Sequence, residues 1–527
     1  MLVPRQHKSV VSNPQIGSLT NLAQSNADQF RSSGLSLQGM PLSQARTLAQ
    51  AEVLAAAADY TASLIGQPVD LPTTGPWFVT GHQPELFHAG VWAKNFTISG
   101  LADFAGGVAL NLIVDNDTAE RTRITVPIGS REVPTVESVP FDSSRPQQPW
   151  EESVIEDVQC FEGFGERIRS QIRSNWHYEP LIRHGWDAAI RQRQVSSRLC
   201  DCLTAARVAV EREHGIRNLE VPMSRICSTR SFLRFAASLL TDLPRFQAHY
   251  NAVIRNYRLE HHLRSTTHPV PELVERDGWY EAPFWIWRQG DLRRGRPFAR
   301  LDGNRVELRF GEEIVARFSA STQDGFEQGG QSLSQLQNQG VRFRSRALTT
   351  TLFSRLFLAD LFIHGIGGAK YDEMTDQLCR RFLDIEPPRF ATVSATFHLP
   401  LAPPFPVSLQ DVRRTEQTLR DLSFNPDRFL SKSADFSVQT LIEEKRQLIS
   451  AFAARRPQQF EHKRVAEINR MLTPELEQTR RELKAKSQQI QKHVQANSIL
   501  QNREYSWCLQ SDDAVSFLQT EFHDSVG

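Results

Sequence analysis

The stretch Phe78-Val79-Thr80-Gly81-His82-Gln83-Pro84-Glu85-Leu86-Phe87-His88-Ala89-Gly90-Val91-Trp92-Ala93-Lys94 decides the fold. A short apolar run from Trp77 to Val79 stops at Gly81 and gives way to a polar loop with two histidines. Apolar residues then resume at helical spacing through Trp92, Phe96 and Leu101. This reads as strand, loop, helix. In an open α/β sheet such a turn lies at the carboxyl end of a strand, where ligands bind and a helix N-terminus receives an anion.

Working outward, Val108 to Val114 is an almost continuous apolar run ended by Asp115-Asn116-Asp117. Such runs mark strands buried on both faces of a parallel sheet. With the first strand and its helix it makes a βαβ unit. The fold expected is α/β: a Rossmann-like parallel sheet core with a large helical insertion, a small antiparallel β patch and a C-terminal helical hairpin or coiled coil.

The remaining segments fill in that plan. Residues 1–35 are rich in Ser, Gln and Asn and read as a flexible N-terminal arm. Residues 36–149 form the first half of the core, opening with an amphipathic helix from Leu42 to Ile65. Helical spacing over 150–264 reads as an insertion. Within 265–330, the segments Trp279 to Trp287, Phe298 to Leu301, Val306 to Phe310 and Ile314 to Phe318, separated by turns such as those at Gly303 and Gly311, read as an antiparallel meander. Residues 331–400 form the second half of the core: an apolar helix through Leu356, Phe357, Leu361 and Phe362 ends at His364, before Gly365-Ile366-Gly367-Gly368. Residues 401–527 read as helical, with a charged final segment that suggests a homodimer contact.

Composition excludes several classes of function. Among 527 residues, 61 Lys and Arg nearly balance 60 Asp and Glu, so no global field favours nucleic acid or an anionic membrane. Hydrophobic residues at 40% are enough for a substantial core. Six scattered cysteines fit a reducing compartment, and no apolar run of about 18 residues suggests a membrane span. A cytoplasmic protein with a small polar substrate is expected.

Three constellations carry the candidate chemistry. His82 and His88 can shuttle a proton or donate to an anion, with Thr80, Gly81, Gln83 and Gly90 around the substrate. A metal held by the histidine pair lacks a visible third ligand. Asp115 and Asp117, flanking Asn116, can hold an amine or hydroxyls at a strand end, although Asp-Asn-Asp is also ordinary turn chemistry. Gly365, Gly367, Gly368 and Lys370 form a loop suited to an anion, but they lack the spacing of a P-loop. Asp372 and Glu373 match the helix dipole. The cluster around Trp279, Trp285 and Trp287 can stack on a ligand ring but reads first as strand packing, and Cys200 and Cys202 fall on different faces of a helix. No cofactor is named by these patterns.

In this order, the three stretches resemble the bacillithiol biosynthesis cysteine-adding enzyme family. Thr80-Gly81-His82-Gln83 and Ala89-Gly90-Val91 resemble its early Thr-Gly-Gln-Gln loop and Gly-Pro segment. Asp115-Asn116-Asp117 resembles its strand-end acidic motif. Arg346-Ala347-Leu348 and Gly365-Ile366-Gly367-Gly368 resemble its Arg-Pro-Leu segment and glycine loop. The sequence departs from the pattern at His82, at the missing proline after Gly90 and at Ala347. The resemblance implies a core akin to class I aminoacyl-tRNA synthetases, a dimerising C-terminal coiled coil, and a ligase that adds cysteine to a malyl-glucosamine. It makes Arg346 a substrate-binding residue. Adenylate or other nucleotidyl transfer, and a non-catalytic metabolite-binding scaffold, are the alternatives.

Overall fold

A computed structural model describes residues 2–523 except 33, 38, 73, 145–146, 321, 434 and 455. The chain is mixed α/β and divides into two units, one of residues 1–126, 137–400 and 503–527, the other of 127–136 and 401–502. Among the described residues no helix is long and apolar enough to cross a membrane.

The first unit is built on a six-stranded sheet. Its strands are β1 (Ser9–Asn13), β2 (Trp77–His82), β3 (Val108–Ile113), β4 (Leu219–Pro222), β5 (Leu361–His364) and β6 (Ala391–Thr396). The order is β1-β6-β5-β2-β3-β4, with β1 antiparallel to β6 and every other pairing parallel. The chain runs outward from β2 through β3 to β4, then returns to the other side of β2 for β5 and β6. The order therefore reverses between β2 and β5. Their ladder covers only Phe78 with Leu361 and Val79 with Phe362. Beyond it the strands are held by the Thr80 hydroxyl, which donates to the Ile363 carbonyl at 2.8 Å.

Helices anchor both ends of this frame. The 24-residue helix α1 (Leu42–Ile65) buries Arg46, whose guanidinium donates to the carbonyls of Leu356 and Ala359 and pairs with Asp360 at 2.7 Å. Asp360 in turn accepts from the Trp77 backbone at 2.8 Å, so one ion pair fixes the entries of β2 and β5. Helix α2 (Ala89–Ala105) is buried nearly all round; His88 caps its start by accepting from Gly90 N, and Gly106 ends it at φ 60°.

Several expectations are corrected here. The N-terminal segment is no loose arm: Ser9–Asn13 extends the sheet, and a helix follows over Leu19–Ser32. Leu361–His364 is a strand of the sheet, where a continuous apolar helix was expected. The α-helix stops at Phe353, a π-turn covers Ser354–Leu358, and Asp360 breaks the run. Four apolar residues cannot by themselves separate helix from strand.

The helical insertion also contains a sheet strand, β4, which hides its nature behind Glu220. That carboxylate is fully buried, paired with Arg207 of helix α3 (Leu199–Glu213) at 2.7 Å and hydrogen-bonded by Asn111 Nδ2 of β3. Burial pushes the Glu220 carboxyl up to about 7 against the pull of Arg207. The expected strand 279–287 splits at Pro283, which has no N–H to give a ladder. Trp279–Glu281 joins a five-stranded antiparallel sheet, while Phe284–Arg288 pairs with Val341–Ser345.

The second unit is helical, with helices over Leu409–Phe424, Phe436–Ala454, Gln459–Leu472 and Glu477–Leu500. Val438, Ile442, Ile468 and Leu472 form a small core beside the buried Lys445, whose ammonium donates to Asn469 Oδ1 at 2.7 Å. The final expected segment is divided: residues 503–527 belong to the first unit, where α5 (Asp512–His523) packs on α2.

Candidate functional site

A cavity of about 340 Å³ opens where the strand order reverses. Gly81 and Gln83 line it from the end of β2, and Leu112, Val114, Asn116 and Asp117 from the end of β3. Phe362 and His364 reach it from β5, and Gly368 and Tyr371 from α4 (Ile366–Leu378). Tyr250, Val270, Pro271, Trp285, Arg294 and the segment Ser345 to Thr351 close the opposite wall. Ligand sites in open α/β sheets sit at this kind of reversal, because diverging strand ends leave a crevice.

The acidic turn is held as a unit. Gln83 Nε2 donates to Asp117 Oδ2 at 2.8 Å, and Arg294 Nη1 lies 3.0 Å from Asp117 Oδ1. Arg294 also donates to the Asn116 carbonyl, and Asn116 Nδ2 donates to the Ser345 carbonyl, both at 2.9 Å. The two predicted stretches 80–83 and 115–117 thus meet through side chains. Asp115 turns elsewhere: its carboxylate accepts from the Ser224 backbone at 2.8 Å and from the Ser224 hydroxyl. Burial, then the neighbouring Glu151, pushes Asp115 up to about 7.

Neither predicted histidine lines this cavity. His82 packs edge-on against Phe87 and lies 3.2 Å from the Gln83 carbonyl; burial and the nearby Lys94 push its imidazole down to about 3. Lys94, unremarked as a site residue in the sequence, is buried beneath the loop and donates to the Gly81 carbonyl at 2.6 Å; burial pushes it down to about 7. His88 serves as the α2 cap and lies 3.5 Å from Glu504, with burial lowering its pKa. Thr80 ties β2 to β5. At Gly90 a Cβ would stand 2.7 Å from the Ala395 carbonyl, so this glycine lets α2 approach β6.

The glycine stretch is the start of a helix. Gly365 is the N-cap of α4, and Gly367 and Gly368 belong to its first turn. Gly368 lines the cavity; Gly365, Gly367 and Lys370 are not among its walls. A Cβ at Gly368 would come within 2.9 Å of His364 Nδ1, so the absent side chain keeps that nitrogen uncovered.

His364 is the histidine the sequence reading passed over. Its Nε2 lies 2.7 Å from Asp372 Oδ2, and Arg355 Nη1 lies 2.8 Å from the same oxygen. Burial would raise the Asp372 carboxyl, yet Arg355 and His364 hold it well below the usual carboxylate range. An ionised Asp372 only accepts, so His364 Nε2 carries a proton, and in the neutral imidazole Nδ1 is the nitrogen left to accept one. That is the arrangement of an oriented base. A buried strand ending in His before a glycine-rich helix start repeats the pattern of residues 77–89, and that repetition was the available signal.

Two arginines face one tryptophan. The Arg294 guanidinium lies 4.5 Å and the Arg346 guanidinium 4.3 Å from the Trp285 ring. Arg346 Nη1 donates to Glu281 Oε1 at 2.8 Å, and its backbone N–H to Thr349 Oγ1 at 2.8 Å. Among the described residues no group of three or more His, Cys, Asp or Glu is arranged to hold a metal. No protein-family model matches the chain, and no curated protein matches it significantly.

Proposed function

We propose that this chain is a ligase-like enzyme joining cysteine, or another amino acid or thiol, to a small polar acceptor on a Rossmann-like core. The reading follows the resemblance to the bacillithiol biosynthesis cysteine-adding family. One observation carries it: the stretches 80–83, 115–117 and 346–368, remote in sequence, each contribute walls to a single cavity at the strand-order reversal. The parallel order β6-β5-β2-β3-β4 supports the Rossmann-like assignment.

The roles follow from the geometry. His364, oriented by Asp372, takes through Nδ1 the proton of the amine or thiol as its nitrogen or sulfur bonds to the acceptor's carboxyl carbon, and the carboxyl oxygen leaves as water, or with phosphate or AMP where ATP has activated it. Asp117, braced by Gln83 and Arg294, orients the amine. Gly368, in the first turn of α4, offers its backbone N–H to negative charge developing at the acceptor. The helical unit would serve dimerisation in this reading.

The test is direct. Purified protein is incubated with cysteine and carboxylated amino-sugar acceptors, with and without ATP, and condensation products are followed by mass spectrometry. Product from the wild type, reduced at least a hundredfold in His364→Ala at unchanged fold, supports the reading. Absence of any product across the acceptor panel refutes it in favour of a metabolite-binding scaffold.

A further inference from the structure

The geometry points to a carboxylate subsite on Arg346 that accepts a monocarboxylate with an apolar body. This goes beyond the proposed function, whose acceptor is small and polar, by assigning a second ligand class to the same cavity, and it rests on reading the cavity as the substrate site.

Arg346 is only 8% exposed and lines the cavity. Its Nη1 is spent on Glu281, whereas Nε and Nη2 are buried with no hydrogen-bond partner. In a guanidinium these two N–H groups point the same way and form the side-on fork that grips a carboxylate through two parallel bonds. A buried, unfilled fork costs free energy unless a ligand completes it. Trp285 at 4.3 Å and Glu281 fix the plane of the fork in advance.

Charge selects a monoanion. Arg294 is matched by Asp117, while Glu281 is shared between Arg346 and Arg296, the latter 3.5 Å away. One cationic charge is left over. A phosphate dianion would bring one negative charge too many into a desolvated site. Among the other walls, Val114, Val270, Pro271, Leu348 and Phe362 present hydrocarbon beside polar groups such as Gln83, Thr350 and Thr351, and they suit an apolar body behind the carboxylate.

The experiment titrates the full-length protein with 3-phenylpropionate, with its uncharged amide and with inorganic phosphate, by calorimetry and ligand-observed NMR. The carboxylate binds, the amide binds at least tenfold more weakly, and phosphate does not displace the carboxylate. Arg346→Lys, which keeps the charge and loses the fork, weakens binding about tenfold, and Arg346→Gln weakens it further. Equal binding of acid and amide, displacement by phosphate at lower concentration, or no binding of the acid overturns the proposal without any variant being needed. So does a folded Arg346→Gln that binds like the wild type. Because turnover is not measured, carboxylate binding without condensation would refute the ligase reading alone.

Discussion

His364 Nε2 and Asp372 Oδ2 stand 2.7 Å apart across the turn from β5 into α4, and Arg355 holds the same carboxylate from behind. Replacing Asp372 by Asn leaves the buried Arg355 with Asp376 as its remaining ion-pair partner. The expected loss is about 3–5 kcal/mol at pH 7, measured by urea denaturation. The Asp372 pKa is depressed in the fold, so its contribution is present above the ordinary carboxylate value of 3.8 and fades as pH falls below it. The gap between wild type and Asp372→Asn therefore narrows at pH 3.5. A gap independent of pH would contradict the ion pair.

His82 loses stability to acid in the same direction as Asp372, but at higher pH. Burial holds it neutral down to about pH 3, whereas the unfolded chain protonates it near 6.5. The unfolded state thus binds more protons as pH falls between these values, and stability falls with it. Between pH 7 and pH 4.5 the wild type should lose roughly 2–3 kcal/mol more than His82→Gln, from the size of one pKa unit. Parallel stability curves for the two proteins would refute this.

Arg207 bridges Glu211 and Glu220 in the layer between α3 and β4, and Glu211 also accepts from Trp92 Nε1 and Asn95 Nδ2. Arg207→Met strands two buried carboxylates, at an expected cost of about 3–5 kcal/mol. The double variant Arg207→Met, Glu220→Leu should recover part of that loss. Additive losses in a double-mutant cycle would show that the pair is not coupled.

Asp117 sets the contrast. Its side chain is 37% exposed, and its pairing with Arg294 contributes little to folding. Asp117→Asn should change stability by under about 1 kcal/mol. Condensation activity under the proposed function should fall at least tenfold. A large stability loss with retained turnover would make Asp117 structural.

How much was legible depended on local chemistry. The unit from Trp77 to Val114 could be read because its apolar runs are abruptly punctuated by Gly81 and the Asp115-Asn116-Asp117 turn, and the structure has β2, α2 and β3 there. β4 could not, because a buried Glu220 is tolerable only beside Arg207, a partner supplied by the tertiary fold. β5 was merged with the apolar residues before it because Leu361 to Ile363 has the same composition. His82 and Asp115 were singled out for their place at strand ends, but side-chain direction decided otherwise: Ser224 holds Asp115, and Phe87 packs on His82. Trp285 belongs to an aromatic cluster that reads as strand packing, and Arg294 lies in the turn between two strands, where nothing in the local sequence marks it.

The sheet edge β1 and the helix α5 come from opposite ends of the described chain, and both belong to the first unit. α5 seats against α2 so closely that a Cβ at Gly100 would collide with the Phe522 carbonyl. The first unit is therefore closed by contacts between segments far apart in sequence, with residues 401–502 lying between them along the chain. Contacts of such long sequence separation form more slowly than local helical ones.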